Sequence, residues 1–249
     1  MRIPRIYTAK PLGAGRDIVL EPEASQHLGR ALRLQPGDSA YLFDGSGAQY
    51  LATITSVEKK CVTLVTGSAI KHDTESPLVI NLGVAISRGD RMDLVVQKAT
   101  ELGVAEITPL FTERTEVRLS AERALKKCRH WQRVIISACE QCGRNRLPKL
   151  HSSEGLGQWL PHTQGDRKFV LHHRNTADVE TTTAPTCIDL LIGPEGGLTQ
   201  AEIDLAHTSG FEALSLGPRI LRTETAPLAA LAILQARWGD MDPGRQGGE

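Results

Sequence analysis

The chain has 249 residues, 40% hydrophobic and 23% charged, with a formal net charge of zero. That is a globular composition with material for a sizeable core, and no apolar run approaches the ~20 residues a membrane-spanning helix needs. Nor is it the balance of a protein that coats nucleic acid, yet the charge is segregated: six Lys/Arg face three acids up to Gln35, and eight face the single acid Glu140 between Arg123 and Lys149.

These basic stretches suit either a phosphate-binding surface or the solvated faces of ordinary elements. Met1-Arg2-Ile3-Pro4-Arg5 leads into no apolar signal core, and the five cysteines are an odd number, so a reducing cytoplasm is expected. Cys139 and Cys142 have CxxC spacing without a second pair of Cys or His. Both read as small buried hydrophobes, and no metal is expected.

In chain order, residues 18–20, 40–43, 49–57 and 61–66 read as short strands. Asp44-Gly45-Ser46-Gly47 and Glu58-Lys59-Lys60 supply hairpin loops. A helical stretch over 24–34 places Leu28, Ala31 and Leu32 on one face. Residues 1–72 are therefore expected to form a compact β-barrel, and polar residues 71–77 a linker.

From Leu78 the texture changes. Residues 78–86 read as a strand buried on both faces, followed by a helix over about 90–102, a strand over 106–111 and a long helix capped by Ser120. That helix carries Leu125, Cys128, Ile135, Ala138 and Cys142 on one stripe and stops at Gly143. Strands follow at 168–172, 188–192 and 213–216. Thr199-Gln200-Ala201-Glu202 forms a capping box for a helix ending at Gly210, and a last helix runs from near Glu224 to Trp238. The alternation predicts an α/β domain with a mainly parallel sheet over 73–240, and a disordered tail over 241–249.

Ligands of such sheets bind where strands feed helices. Two loops there are rich in glycine: Gly193-Pro194-Glu195-Gly196-Gly197, and residues 216–222 with the sequence Leu-Gly-Pro-Arg-Ile-Leu-Arg. Neither has the spacing of a P-loop or of a dinucleotide fingerprint, and Glu195 would repel a phosphate. A cofactor with an adenine, no phosphate and a positive centre suits them, as does a purely structural role.

Four blocks in order carry a resemblance: residues 87–103, from Ser87-Arg88-Gly89-Asp90-Arg91 to Glu101-Leu102-Gly103; residues 138–144, Ala-Cys-Glu-Gln-Cys-Gly-Arg; residues 191–197; and residues 216–226. With His27-Leu28-Gly29-Arg30, Arg33 and Gly37-Asp38, they resemble the ribosomal RNA small subunit methyltransferase E family, 16S rRNA (uracil-N3)-methyltransferases of the knotted SPOUT class. The resemblance covers nearly the whole chain. It implies a PUA-like N-terminal domain, a C-terminal trefoil-knotted methyltransferase domain, a cytoplasmic homodimer, and 16S rRNA or the small ribosomal subunit as partner, with no membrane.

S-adenosyl-L-methionine would be contacted by Leu171, Ile192, Gly193, Pro194, Glu195, Gly196, Gly197, Leu216, Gly217, Ile220, Leu221, Arg222, Thr225 and Ala226. Loss of the N3 proton of uracil leaves charge on its carbonyl oxygens, which positioned guanidinium groups stabilise. Arg219 and Arg222 are the candidates, or they pair with Glu195 or Glu224; the proton acceptor is Glu224 or water. Arg2, Arg5, Arg30, Arg33, Arg88, Lys98, Arg144 and Arg146 would bind RNA. His172 and His173 read as core or surface residues. A ribose 2′-O-methyltransferase of the same class, a non-catalytic RNA-binding module and a nicotinamide-dependent reductase stand as alternatives.

Overall fold

The computed structural model describes residues 3–59, 61–117, 120–172 and 183–241. Arg2, His173 and all of the tail beyond Met241 lie outside them. The chain separates into two compact units, Met1–Glu75 with Ile136–Leu147, and Ser76–Ile135 with Pro148–Glu249.

The first unit holds β1 (Arg5–Tyr7), β2 (Asp17–Val19), α1 (Pro22–Gln26), β3 (Ser39–Phe43), β4 (Ala48–Val57) and β5 (Val62–Lys71). The strands form one sheet in the order β1-β3-β4-β5-β2, antiparallel except for β1 beside β3. Strand periodicity sends Ala40 and Leu42, Ala52 and Ile54, and Val62 and Leu64 to one face, where they pack with Ile6, Ile18, Leu20 and Leu28. The loop over Asp44–Gly47 falls between β3 and β4 as expected; the second hairpin loop was expected to include Lys60, which lies outside the described residues. β1 was not legible, because three residues are too few to show an alternation.

The expected helix over 24–34 is different. α1 gives way to a π-helical turn at His27–Ala31. Leu28 is buried, but Leu32 is 41% exposed, and Ala24 and Leu34 pack on the core in place of Ala31 and Leu32. The wider turn carries the following residues around the helix axis and out of the stripe. Nor are residues 71–77 a free tether: Lys71 is in β5, and His72 accepts a hydrogen bond of 2.9 Å from Asn145.

The second unit begins with β6 (Val79–Ala85), α2 (Asp90–Glu101) and β7 (Glu106–Phe111). The long helix α3 (Ala121–Cys142) follows, its residues from Ile136 onward grouping with the first unit. Then come β8 (Lys149–Leu150), β9 (Glu154–Gly155), α4 (Leu156–Trp159), β10 (Arg167–Leu171), β11 (Cys187–Ile192), α5 (Gln200–Thr208), β12 (Glu212–Leu214) and α6 (Thr225–Trp238). The sheet is parallel, in the order β12-β10-β11-β6-β7-β8, with β9 also on β7. Ile80, Leu82 and Val84 of β6 and Ile188, Leu190 and Leu191 of β11 are buried, as central parallel strands require.

The capping box of α5 is present. Thr199 N–H donates to Glu202 Oε2 at 2.8 Å, and Glu202 N–H donates to Thr199 Oγ1 at 3.3 Å. The stripe of α3 differs from expectation: Trp131, Ile135, Ala138 and Cys139 are buried, whereas Leu125 is 57% exposed. A hydrogen bond with Cys142 and burial push the Cys139 thiol far up, so it stays neutral, a small hydrophobe as expected. Cys142 is only half-buried. β12 stops at Leu214, so the loop ahead of α6 starts two residues sooner than the sequence suggested. Among the described residues no helix is long and apolar enough to cross a membrane, and no cluster of three metal-ligating side chains occurs.

Candidate active site

The carboxyl ends of β10, β11 and β12 deliver three connections to one edge of the sheet, and a cleft of about 440 Å³ lies among them. That is within the usual range for small-molecule sites. Leu171, Ile192, Gly193, Pro194, Glu195, Gly196, Gly197, Leu216, Gly217, Ile220, Leu221 and Ala226 line it. Arg222 and Thr225, also expected there, do not. The sequence reading missed Arg114, Leu198, Gln200, Ile203, Leu214 and Thr223 in its wall, and gave no role to His172, which lines it too.

Glycine suits two of these positions. A Cβ on Gly193 would stand 3.0 Å from Leu198 Cγ and 3.1 Å from Leu198 N, so a side chain there would make the loop give by a few tenths of an ångström. Gly217 has φ +93°, a left-handed conformation that L side chains rarely adopt. Arg114 reaches the cleft because Glu202, 8% exposed at the start of α5, accepts the Glu113 N–H at 2.8 Å and fixes that turn. The Arg114 guanidinium then donates to Gly196 O at 2.8 Å.

Glu195 is not a bare charge. Arg91 in the first turn of α2 donates to its Oε1 at 3.1 Å, and the same guanidinium stands 4.0 Å from Glu224 Oε2. The acids expected to pair with Arg219 or Arg222 are thus held by Arg91, for which the sequence suggested no role. Compensation by Arg91 also weakens the argument that Glu195 excludes a phosphate. Arg219 lines the cleft, and both Arg219 and Arg222 are exposed and free of ion pairs among the described residues. Glu224 is the N-cap residue of α6, with its side chain 17% exposed and Oε2 buried without a hydrogen-bond partner among the described residues.

The residues expected to bind RNA divide. Arg30, Arg33, Arg88 and Arg146 are exposed, although Arg88 Nε pairs with Glu116 at 2.9 Å. Lys98 is held by Glu101 at 2.8 Å. Arg144 is the clear correction. It is 5% exposed, and its Nε and Nη2 grip the Glu75 carboxylate at 3.1 and 2.5 Å, so its donors are turned inward. Arg5 likewise spends its donors on Gln49, on Arg144 O at 3.2 Å and on Asn145 Oδ1 at 2.7 Å, with its guanidinium 5.0 Å from the Phe43 ring.

Residues 74–235 match the family described as RNA methyltransferase domain, and residues 20–66 the RNA methyltransferase PUA domain. The chain is 35% identical over 241 residues to ribosomal RNA small subunit methyltransferase E of Buchnera aphidicola, covering 96% of this chain and 95% of that one. The same-named protein of Synechocystis is 34% identical, over 88% of this chain and 73% of the relative. Among solved structures, a Legionella pneumophila methyltransferase in complex with S-adenosylmethionine superposes with TM-score 0.94 at 44% identity, covering 96% and 100% of the two chains. Ribosomal RNA small subunit methyltransferase E of Neisseria gonorrhoeae, bound to S-adenosylmethionine, gives 0.89 at 39% identity, covering 96% and 99%. On its fold, its cleft and these likenesses, the chain belongs to the ribosomal RNA small subunit methyltransferase E family.

Proposed function

We propose that the chain methylates N3 of one uridine in 16S ribosomal RNA, with S-adenosyl-L-methionine bound in the cleft. The observation that carries this reading is the cleft itself, built by two glycine loops at the strand ends of an RNA methyltransferase fold. Its residues fit the cofactor. Backbone N–H and C=O groups of the Gly193–Gly197 and Leu216–Leu221 stretches can address an adenine edge, and Leu171, Ile192, Leu198, Leu214 and Ala226 give apolar walls for rings and methylenes. Glu195, paired with Arg91, stands in the same wall. When bound, the cofactor supplies an electrophilic methyl group on a sulfonium.

The chain's own residues do the rest. Arg219 and Arg222, exposed beside the cleft and free of ion pairs among the described residues, hold the uracil carbonyl oxygens and stabilise the charge left when the N3 proton departs. Removing one such donor typically costs about 10²–10³ in rate. Glu224 Oε2 is buried facing Arg91, which favours water over Glu224 as the proton acceptor. Orienting the base against the methyl donor supplies most of the remaining acceleration, as much as roughly 7–11 kcal/mol.

In this reading residues 1–72 are the PUA-like RNA-binding domain and residues 73–240 the methyltransferase domain, knotted near its C-terminus as in the SPOUT class. The enzyme works as a cytoplasmic homodimer. Arg30, Arg33, Arg88 and Arg146 are its exposed phosphate contacts, which position without reading sequence. A methyl on N3 blocks the Watson–Crick edge, so reverse transcription of 16S rRNA should stop at one uridine in cells that carry the gene and read through in cells that lack it. Full read-through at every uridine with the gene present would eliminate the N3 assignment, and a ribose methyl at that nucleotide would favour 2′-O transfer.

A further inference from the structure

We infer that Arg91 is the positioning residue that couples the two loops of the cleft, an inference that rests on the methyltransferase reading above. Three separate connections converge on it. Arg91 follows β6 in the first turn of α2, Glu195 lies in the loop after β11, and Glu224 ends the loop that follows β12. No hydrogen bond among the described residues joins the Glu195 loop directly to the loop ahead of α6. The guanidinium does so through charge, 3.1 Å from Glu195 Oε1 and 4.0 Å from Glu224 Oε2.

The surroundings make this link matter. Among the described residues Glu224 Oε2 is buried and accepts no hydrogen bond, and Arg91 is the cation that pairs with it there. Glu224 stands two residues after Arg222 and directly precedes α6, so its placement sets where Arg219 and Arg222 project. Glu195 lines the cofactor cleft. A planar fork can address both carboxylates at once, which a lysine ammonium cannot match. With a side chain 49% exposed, Arg91 contributes little to the core, so its loss should be felt in the site rather than in folding.

The test uses the full chain as wild type, Arg91→Ala, Arg91→Lys, Glu224→Gln and Arg91→Ala/Glu224→Gln. Three quantities are measured: S-adenosylmethionine Kd by calorimetry, Kd for a 16S rRNA fragment as a function of salt, and the single-turnover methylation rate. Arg91→Ala should lower the rate by roughly 100-fold, as misplacing a reacting group does. It should raise the S-adenosylmethionine Kd by about tenfold and leave the RNA Kd and its salt slope unchanged. Arg91→Lys should recover part of both losses, thermal unfolding should stay near wild type, and the double variant should be no worse than Arg91→Ala alone.

Unchanged cofactor Kd in Arg91→Ala would overturn the inference, as would effects of Arg91→Ala and Glu224→Gln that simply multiply. A weaker RNA Kd with a shallower salt slope would make Arg91 a phosphate contact instead. Failure of the wild type to bind the cofactor or methylate would remove the underlying reading, an outcome distinct from each of these.

Discussion

In the first unit, Arg144 is 5% exposed and closes on Glu75 with two hydrogen bonds, while Arg5 is spent on Gln49, Asn145 and the backbone of Arg144. In the second, Arg219 and Arg222 lie exposed by the cleft with no ion pair among the described residues. Both pairs lie in basic or glycine-rich stretches that look alike in sequence. A guanidinium taken out of water must have its donors filled from within the protein, so it becomes architecture. One left at a rim keeps its fork for an incoming anion.

The contrast is broken most directly by Arg144→Ala. It leaves the Glu75 carboxylate without its partner and Asn145 beside a gap, so unfolding stability should fall by about 3 kcal/mol, read by denaturant titration. Unchanged stability would return Arg144 to the list of RNA contacts. The opposite behaviour is expected of Arg222→Ala: a methylation rate lower by roughly 10²-fold with an unchanged melting temperature. A matching loss of stability would mean that Arg222, too, is structural.

How much of this was visible in the sequence depends on the range of the interactions. The parallel sheet, the capping box of α5 and the span of α6 rest on local periodicity and caps, and residues 106–111 and 199–202 already showed them. Nine of the cleft residues were legible because two contiguous glycine loops supply them, and Leu171, Ile192 and Ala226 were legible because they end strands or begin the helix beside those loops. Arg114 and Arg91 were not assigned, because they reach the site from other connections through pairings more than 80 positions away in sequence. Arg144 was misjudged for the same reason: its partner Glu75 is 69 positions distant, and a count of charges carries no information on burial. The π-helical turn after α1 hides in an ordinary amphipathic pattern.

Arg146 sharpens the comparison from within one short segment, because it stands two residues from Arg144 yet is exposed. Its guanidinium rests against the backbone of Gly47, where a Cβ would stand 2.8 Å from Nη2. Arg146→Ala should weaken binding to a 16S rRNA fragment by a few-fold and reduce the salt slope by about one, with cofactor affinity unchanged. An unaltered slope in a salt-titrated binding assay would remove it from the RNA surface.

The smallest effect concerns Glu140, whose Oε1 accepts the Tyr7 N–H at 3.0 Å. Burial raises its pKa, outweighing that hydrogen bond and the charges of His27 and Arg5. A carboxyl with a folded pKa above its unfolded value binds its proton more tightly in the native state. Its contribution to stability is therefore fully present below the unfolded pKa of about 4.3 and is lost as pH rises through the folded value. Once pH has risen through the folded value, the wild type bears the cost of an ionised, partly desolvated carboxylate. Glu140→Gln keeps an oxygen for Tyr7 and cannot ionise, so at pH 7.5 it should melt above the wild type, more stable by less than about 1 kcal/mol, with the gap closing by about pH 4. Melting curves at the two pH values decide it: a gap that is independent of pH would show that folding leaves the Glu140 pKa where it is in the unfolded chain, and one that widens toward acid would show that Glu140 is stabilised as the anion by Arg5 and His27 after all.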